Sequence, residues 1–80
     1  MRVIAIDLDD TALRFPEEVN RLYDDQNNFI VIYTARPCYL RKVTEEQLRS
    51  KGIFYHALVM DKLRADVYID DKNEGGLRWP

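Results

Sequence analysis

Cysteine is almost missing from this chain: Cys38 is the single one among 80 residues. No intramolecular disulfide can form, which leans towards a reducing compartment. Cys38 follows Arg36-Pro37 and is read as a packing or incidental thiol, although a positive neighbour could lower its pKa. Glycine and proline are scarce as well, three of each, and the chain has no low-complexity stretch. Charge of one sign is lacking: 12 Lys+Arg against 14 Asp+Glu leave a formal net charge of −2. Composition therefore supplies no global pull towards nucleic acid or an anionic membrane. No run approaches the roughly 18 apolar residues of a membrane span. The N-terminus carries no long apolar h-region, so no signal peptide is expected and cytoplasm is the default.

What is present fits a folded domain. The chain is 46% hydrophobic and 32% charged, which argues against disorder. At this length one domain is expected, burying only about 60% of the surface exposed when unfolded. Arg2 to Leu8 reads as a strand, its near-continuous apolar run typical of one covered on both faces. Phe29 to Tyr33 repeats the signature, Tyr55 to Met60 is a weaker third strand and Val67 to Ile69 a short fourth. Pro16 suits the first turn of a helix, with Glu17 and Glu18 at its positive end and Val19, Leu22 and Tyr23 on one face. That helix should stop near Asn27-Asn28. A second helix is expected from about Tyr39 to Lys51, with Leu40, Val43 and Leu48 inward and Gly52 as its stop. Thr44-Glu45-Glu46-Gln47 also matches a capping box, which would start the helix later. Strands alternating with helices imply a parallel sheet with right-handed crossovers. The tail from Lys72 to Pro80 reads as irregular, and Trp79 could dock on the domain or on a partner chain.

In open parallel sheets, ligands bind beyond the carboxyl ends of the strands. Strand one ends at Asp7, with Asp9, Asp10 and Thr11 just after it. Strand two ends at Thr34, followed by Arg36; strand three delivers Asp61 and Lys62; strand four delivers Asp70 and Asp71. Every expected strand thus sends polar residues to the same edge. Clustered carboxylates repel one another unless a cation sits among them. Mg²⁺ suits such a site because it takes hard oxygen ligands and keeps waters and phosphate in its shell. A lysine and a hydroxyl beside the cluster suit a phosphate. Asp7 could then act as a carboxylate nucleophile and Asp9 as general acid and base.

These residues resemble the four motifs of the haloacid dehalogenase-like (HAD) phosphohydrolase superfamily. They are Asp7-Leu8-Asp9-Asp10-Thr11, Thr34, Lys62 and Asp70-Asp71, in the right order over residues 2 to about 73. Ile32-Tyr33-Thr34-Ala35-Arg36 and Tyr68-Ile69-Asp70-Asp71-Lys72 look most like small phosphatases of capsule or lipopolysaccharide biosynthesis. The resemblance implies a minimal α/β, HAD-like Rossmannoid core: a short parallel sheet of about four strands, two main helices and no cap domain. It implies a Mg²⁺-dependent phosphomonoesterase. Asp7 attacks phosphorus and ligates the metal. Asp9 protonates the leaving group and then activates water, while its main-chain carbonyl ligates the metal. Thr34 and Lys62 bind the transferring phosphoryl group, and Asp70 and Asp71 complete the metal site. Positioning and cations do most of the work in such chemistry.

Asp10 stands where the superfamily often has glycine, and Lys62 lacks the proline that often follows it. Only Ala12 to Pro16 separate Thr11 from the first helix, and Gly52 runs almost directly into strand three. The chain therefore reads as capless, and the later strand and helix of a full-length core are not expected in it. A small core with an open edge strand makes a homo-oligomer plausible. An open site leaves a sugar phosphate, a nucleotide or a larger phosphorylated substrate possible, and no membrane partner is expected. Arg36 is a candidate phosphate ligand through its fork of donors, or a structural arginine. Thr34 could be an ordinary helix cap. His56, the only histidine, and the aromatic residues read as structural. A non-catalytic Mg²⁺/phosphate-binding or protein-interaction module is the alternative to an enzyme. A receiver-like phosphoacceptor would need its residues in a different order.

Overall fold

The structure is a computed structural model that describes residues 1–62. The expected fourth strand, Tyr68, Asp70, Asp71 and Trp79 lie outside the described residues. The rest form a small α/β unit. Strands β1 (Arg2–Asp7), β2 (Asn28–Tyr33) and β3 (Ala57–Val59) make a parallel sheet in the order β1-β2-β3. Helix α1 (Pro16–Asp24) joins the first pair and α2 (Arg41–Ser50) the second. Right-handed crossovers, the near-universal hand, put both helices on one face of a sheet in this order. The core agrees. Ile6, Ile32 and Leu58 form a register row across the three strands and are buried with Ile30, Val19 of α1 and Leu48 of α2.

Helix α1 is also tied to the segment that leaves α2. Asn20 of α1 donates from Nδ2 to the Gly52 carbonyl at 2.7 Å and accepts from the Phe54 amide at 2.8 Å. Gly52 ends α2 as expected, with φ +69°. Its amide donates to the Arg49 carbonyl and that of Ile53 to the Leu48 carbonyl, the two bonds of a Schellman motif. Ile53 and Leu48 both enter the core, which is the apolar contact that accompanies the motif.

Several boundaries and faces differ from the sequence reading. Strand one stops at Asp7 rather than Leu8, because Leu8 opens a turn of π-type helix, Leu8–Ala12. Helix α1 ends at Asp24, short of Asn27-Asn28. There Asn28 turns inward and donates from Nδ2 to the Leu22 carbonyl, so the chain has already turned into β2. The second helix opens with a 3-10 turn over Cys38–Leu40 and becomes α-helical only at Arg41. Thr44 is not a cap but is wholly buried inside α2, and Val43 faces outward at 59% exposure. The inner stripe is Leu40, Thr44 and Leu48, an i, i+4, i+8 row in place of one through Val43. Strand three shortens to Ala57–Val59. Among the described residues β1 is covered on one face only: Val3 and Ala5 are exposed. No described helix is long and apolar enough to cross a membrane.

Candidate active site at the carboxyl edge of the sheet

β1 runs apolar to Ile6 and delivers Asp7 at its last position. The turn that follows is wide: the Leu13 amide donates to the Leu8 carbonyl at 3.0 Å, an i to i+5 bond. Leu8 and Ala12 are buried completely and pin this turn to the core. Between them, Asp9, Asp10 and Thr11 are exposed. Isolated π-type turns of this kind often occur at functional sites. Here the local reason is visible: two apolar anchors four residues apart force three polar side chains outward.

Three backbone hydrogen bonds bring the other edge residues in. Asp7 is the register partner of Tyr33, and Tyr33 that of Val59. Thr34 therefore lies one step past the neighbour of Asp7, on a strand about 4.8 Å away. The Thr34 amide donates to the Val59 carbonyl at 2.9 Å, and the Lys62 amide donates to the Thr34 carbonyl at 3.0 Å. Asp61, at φ +61°, makes the bend between them; aspartate tolerates this left-handed conformation better than most residues. Its amide donates to the Arg36 carbonyl and its Oδ1 accepts from the Cys38 amide. The structure thus joins the ends of all three strands in one hydrogen-bonded rim.

Side chains follow this frame. The Lys62 ammonium sits 4.3 Å from the centroid of the Tyr33 ring. Register partners in a ladder point to the same face, so that ammonium lies over the immediate neighbour of Asp7. Thr34 is 2% exposed, and its Oγ1 accepts from the Arg36 amide at 3.1 Å. That is the local cap-like turn, and it leaves the hydroxyl proton available as a donor. Arg36 binds three side chains. Its Nη2 donates to Asp9 Oδ1 at 2.5 Å, and its Nη1 donates to Gln47 Oε1 at 2.8 Å and Thr44 Oγ1 at 3.2 Å. Sequence reading missed Gln47 and Thr44 here because it took them for the two ends of a capping box. It missed the bend at Asp61 because a left-handed aspartate has no sequence signature.

Among the described residues no three acidic, histidine or cysteine side chains converge as a metal centre. Among the described residues the acids at this edge are Asp7, Asp9, Asp10 and Asp61, while Asp70 and Asp71 lie outside the described residues.

No family model, characterised protein or solved structure matches this chain.

His56 stands at the opposite edge. Its Nδ1 accepts from the Ile30 amide at 2.9 Å, and its ring stacks on Tyr23 and Phe29. The one histidine is therefore an anchor of β2, remote from the acids.

Proposed function

We propose that the carboxyl edge is the active site of a Mg²⁺-dependent phosphomonoesterase of HAD type, working through an aspartyl-phosphate on Asp7. The single observation that carries this reading is the rim itself, which gathers Asp7, Asp9, Thr34 and Lys62 at adjacent strand ends. A solvated loop would need neither a buried threonine at the neighbouring strand end nor a main-chain bond that brings Lys62 beside it. The reading includes a fourth strand over Val67 to Ile69 and a Rossmann-like sheet completed by it.

The donors fit a magnesium ion. The Asp7 carboxylate and the Asp9 carbonyl are hard oxygens two residues apart on a wide turn, and Mg²⁺ needs few protein ligands because it keeps its waters. Asp70 and Asp71 would complete the set. When bound, the ion would neutralise charge on the phosphoryl oxygens.

The residues of the chain do the remaining work. An Asp7 carboxylate oxygen forms a bond to phosphorus as the bond to the leaving oxygen breaks, and the Asp9 carboxyl gives that oxygen a proton. Water then attacks phosphorus, Asp9 takes its proton, and the bond to Asp7 breaks. Lys62 and the Thr34 hydroxyl hold the charge that spreads over the phosphoryl oxygens. Only Leu13 to Phe15 separate the π-type turn from α1, so no cap follows the first motif. Water exclusion then falls to the substrate or to a second chain. The substrate is a sugar phosphate, a nucleotide or a larger phosphorylated molecule.

The test is hydrolysis of an aryl phosphate by wild type and Asp7→Asn, with Mg²⁺ and with a chelator. Mg²⁺-dependent turnover that disappears in a folded Asp7→Asn protein is the expected result. Equal turnover in both proteins would refute the nucleophile, and none in folded wild type would favour a binding module.

A further inference from the structure

Thr44 is a poor choice for its position. It is β-branched in the middle of α2 and completely buried, where an apolar residue would avoid burying a hydroxyl. Its capping role is not used, because α2 begins three residues earlier. Gln47 is likewise no cap partner. Both side chains accept from one nitrogen, Nη1 of Arg36. A guanidinium is planar, so two acceptors on a rigid helix, one turn apart, fix the plane as well as the position of the group. Nη2 then points to a single place, and Asp9 Oδ1 occupies it at 2.5 Å. The burial gradient follows the same direction. Thr44 is sealed, the Arg36 side chain is 22% exposed and that of Asp9 is 51% exposed. Left alone, a half-exposed aspartate on a turn would sample several rotamers.

We infer that Thr44 and Gln47 are positioning residues which, through Arg36, hold the Asp9 carboxyl in one orientation at the carboxyl edge. Its meaning for catalysis rests on the phosphatase reading; the orientation itself does not. Arg36 on this account works on the acid–base residue from behind, rather than as a ligand of substrate phosphate. Reactions of this kind are sensitive to small misplacements, with about 1 Å worth about a hundredfold in rate.

The experiment is a double-mutant cycle between Arg36→Met and Gln47→Met on the full chain, with an aryl phosphate as substrate and Mg²⁺ present. Gln47→Met should lower kcat about tenfold or more and leave KM within about twofold. Gln47→Glu keeps an acceptor oxygen and should restore kcat to within about threefold of wild type. In the Arg36→Met background, Gln47→Met should have no further effect, because the path it acts through is already gone. A merely structural Gln47 would give effects that add. The second arm needs no turnover: the NMR shift of the Asp9 carboxyl carbon should move in Gln47→Met the same way as in Arg36→Met, and return in Gln47→Glu. Additive effects on kcat, or an Asp9 signal unchanged in Gln47→Met, would overturn the inference. If wild type has no turnover at all, the phosphatase reading falls and the carbon shift alone decides the positioning.

Discussion

The two edges of this sheet are built from the same three strands and used in opposite ways. At the carboxyl edge, the cationic side chains meet other side chains, Arg36 bonding to Asp9, Gln47 and Thr44 and Lys62 lying against Tyr33, while Thr34 and Asp61 accept from backbone amides. At the amino edge, side chains bond to backbone. His56 accepts from the Ile30 amide, Asn28 donates to the Leu22 carbonyl, and Asn20 binds both Gly52 and Phe54. Tyr23, Phe29, Phe54 and His56 stack over that end, with ring centroids 4.7 to 5.6 Å apart. An amide or imidazole side chain satisfied by backbone is committed to holding the fold. Charged groups satisfied by one another can exchange partners when a charged ligand arrives. The small core leaves little room for both tasks at one place, so they are separated along the strand direction.

That separation can be broken at either end. On the proposed phosphatase reading the largest effect is expected for Asp7→Asn, which should reduce aryl phosphate turnover by at least about a thousandfold and leave the thermal midpoint near that of wild type. Steady-state kinetics and a circular dichroism melt read both quantities. Next comes the layer the two edges share. Ile32 is fully buried in the central strand, and Ile32→Ala should lower unfolding free energy by about 2 to 5 kcal/mol, measured by urea titration.

His56→Ala should mirror Asp7→Asn. It removes the acceptor of the Ile30 amide and one ring of the stack, costing about 1 to 3 kcal/mol of stability. Turnover per folded molecule should stay near wild type. A large loss of kcat in this variant would mean that the edges are coupled and the division is wrong.

The smallest effect concerns Tyr55, whose phenol is pushed above the ordinary tyrosine range by burial and then by the Glu45 carboxylate, against the opposing Arg41 and Arg49. The folded state therefore favours the neutral phenol. Stability from this group is intact below about pH 10, the unfolded value. It declines as pH rises from there towards the higher folded value, because the unfolded chain releases its proton first. Tyr55→Phe should flatten that decline in urea titrations between about pH 9 and 11, with activity at neutral pH unchanged.

Much of this arrangement was legible in the residues. Unbroken apolar runs marked the strands, Pro16 marked the start of α1, and Gly52 the end of α2, because each depends on local backbone chemistry. The convergence of Asp7, Thr34 and Lys62 also followed from order alone, since a parallel sheet puts every strand's carboxyl end on one edge. Less legible were the faces and the partners. Val43 and Thr44 are neighbours, and periodicity preferred the more apolar one inside. The structure chose Thr44 because a guanidinium from another segment meets its hydroxyl there. Arg36 had two readings that nothing within a few residues of it could separate.

By itself, the sequence determined where the three described strands and the two main helices lie to within a few residues, where α2 stops, and which residues share an edge. These are consequences of side-chain period, backbone restriction and chain direction, all carried within a short span. Only the tertiary structure decided that Asp9 answers to α2 through Arg36, that His56 anchors β2, and that Thr44 rather than Val43 turns inward. Each of those depends on a hydrogen-bond partner 8 to 27 residues distant in the chain, and a polar group's partner is set by packing in space, not by its neighbours in sequence.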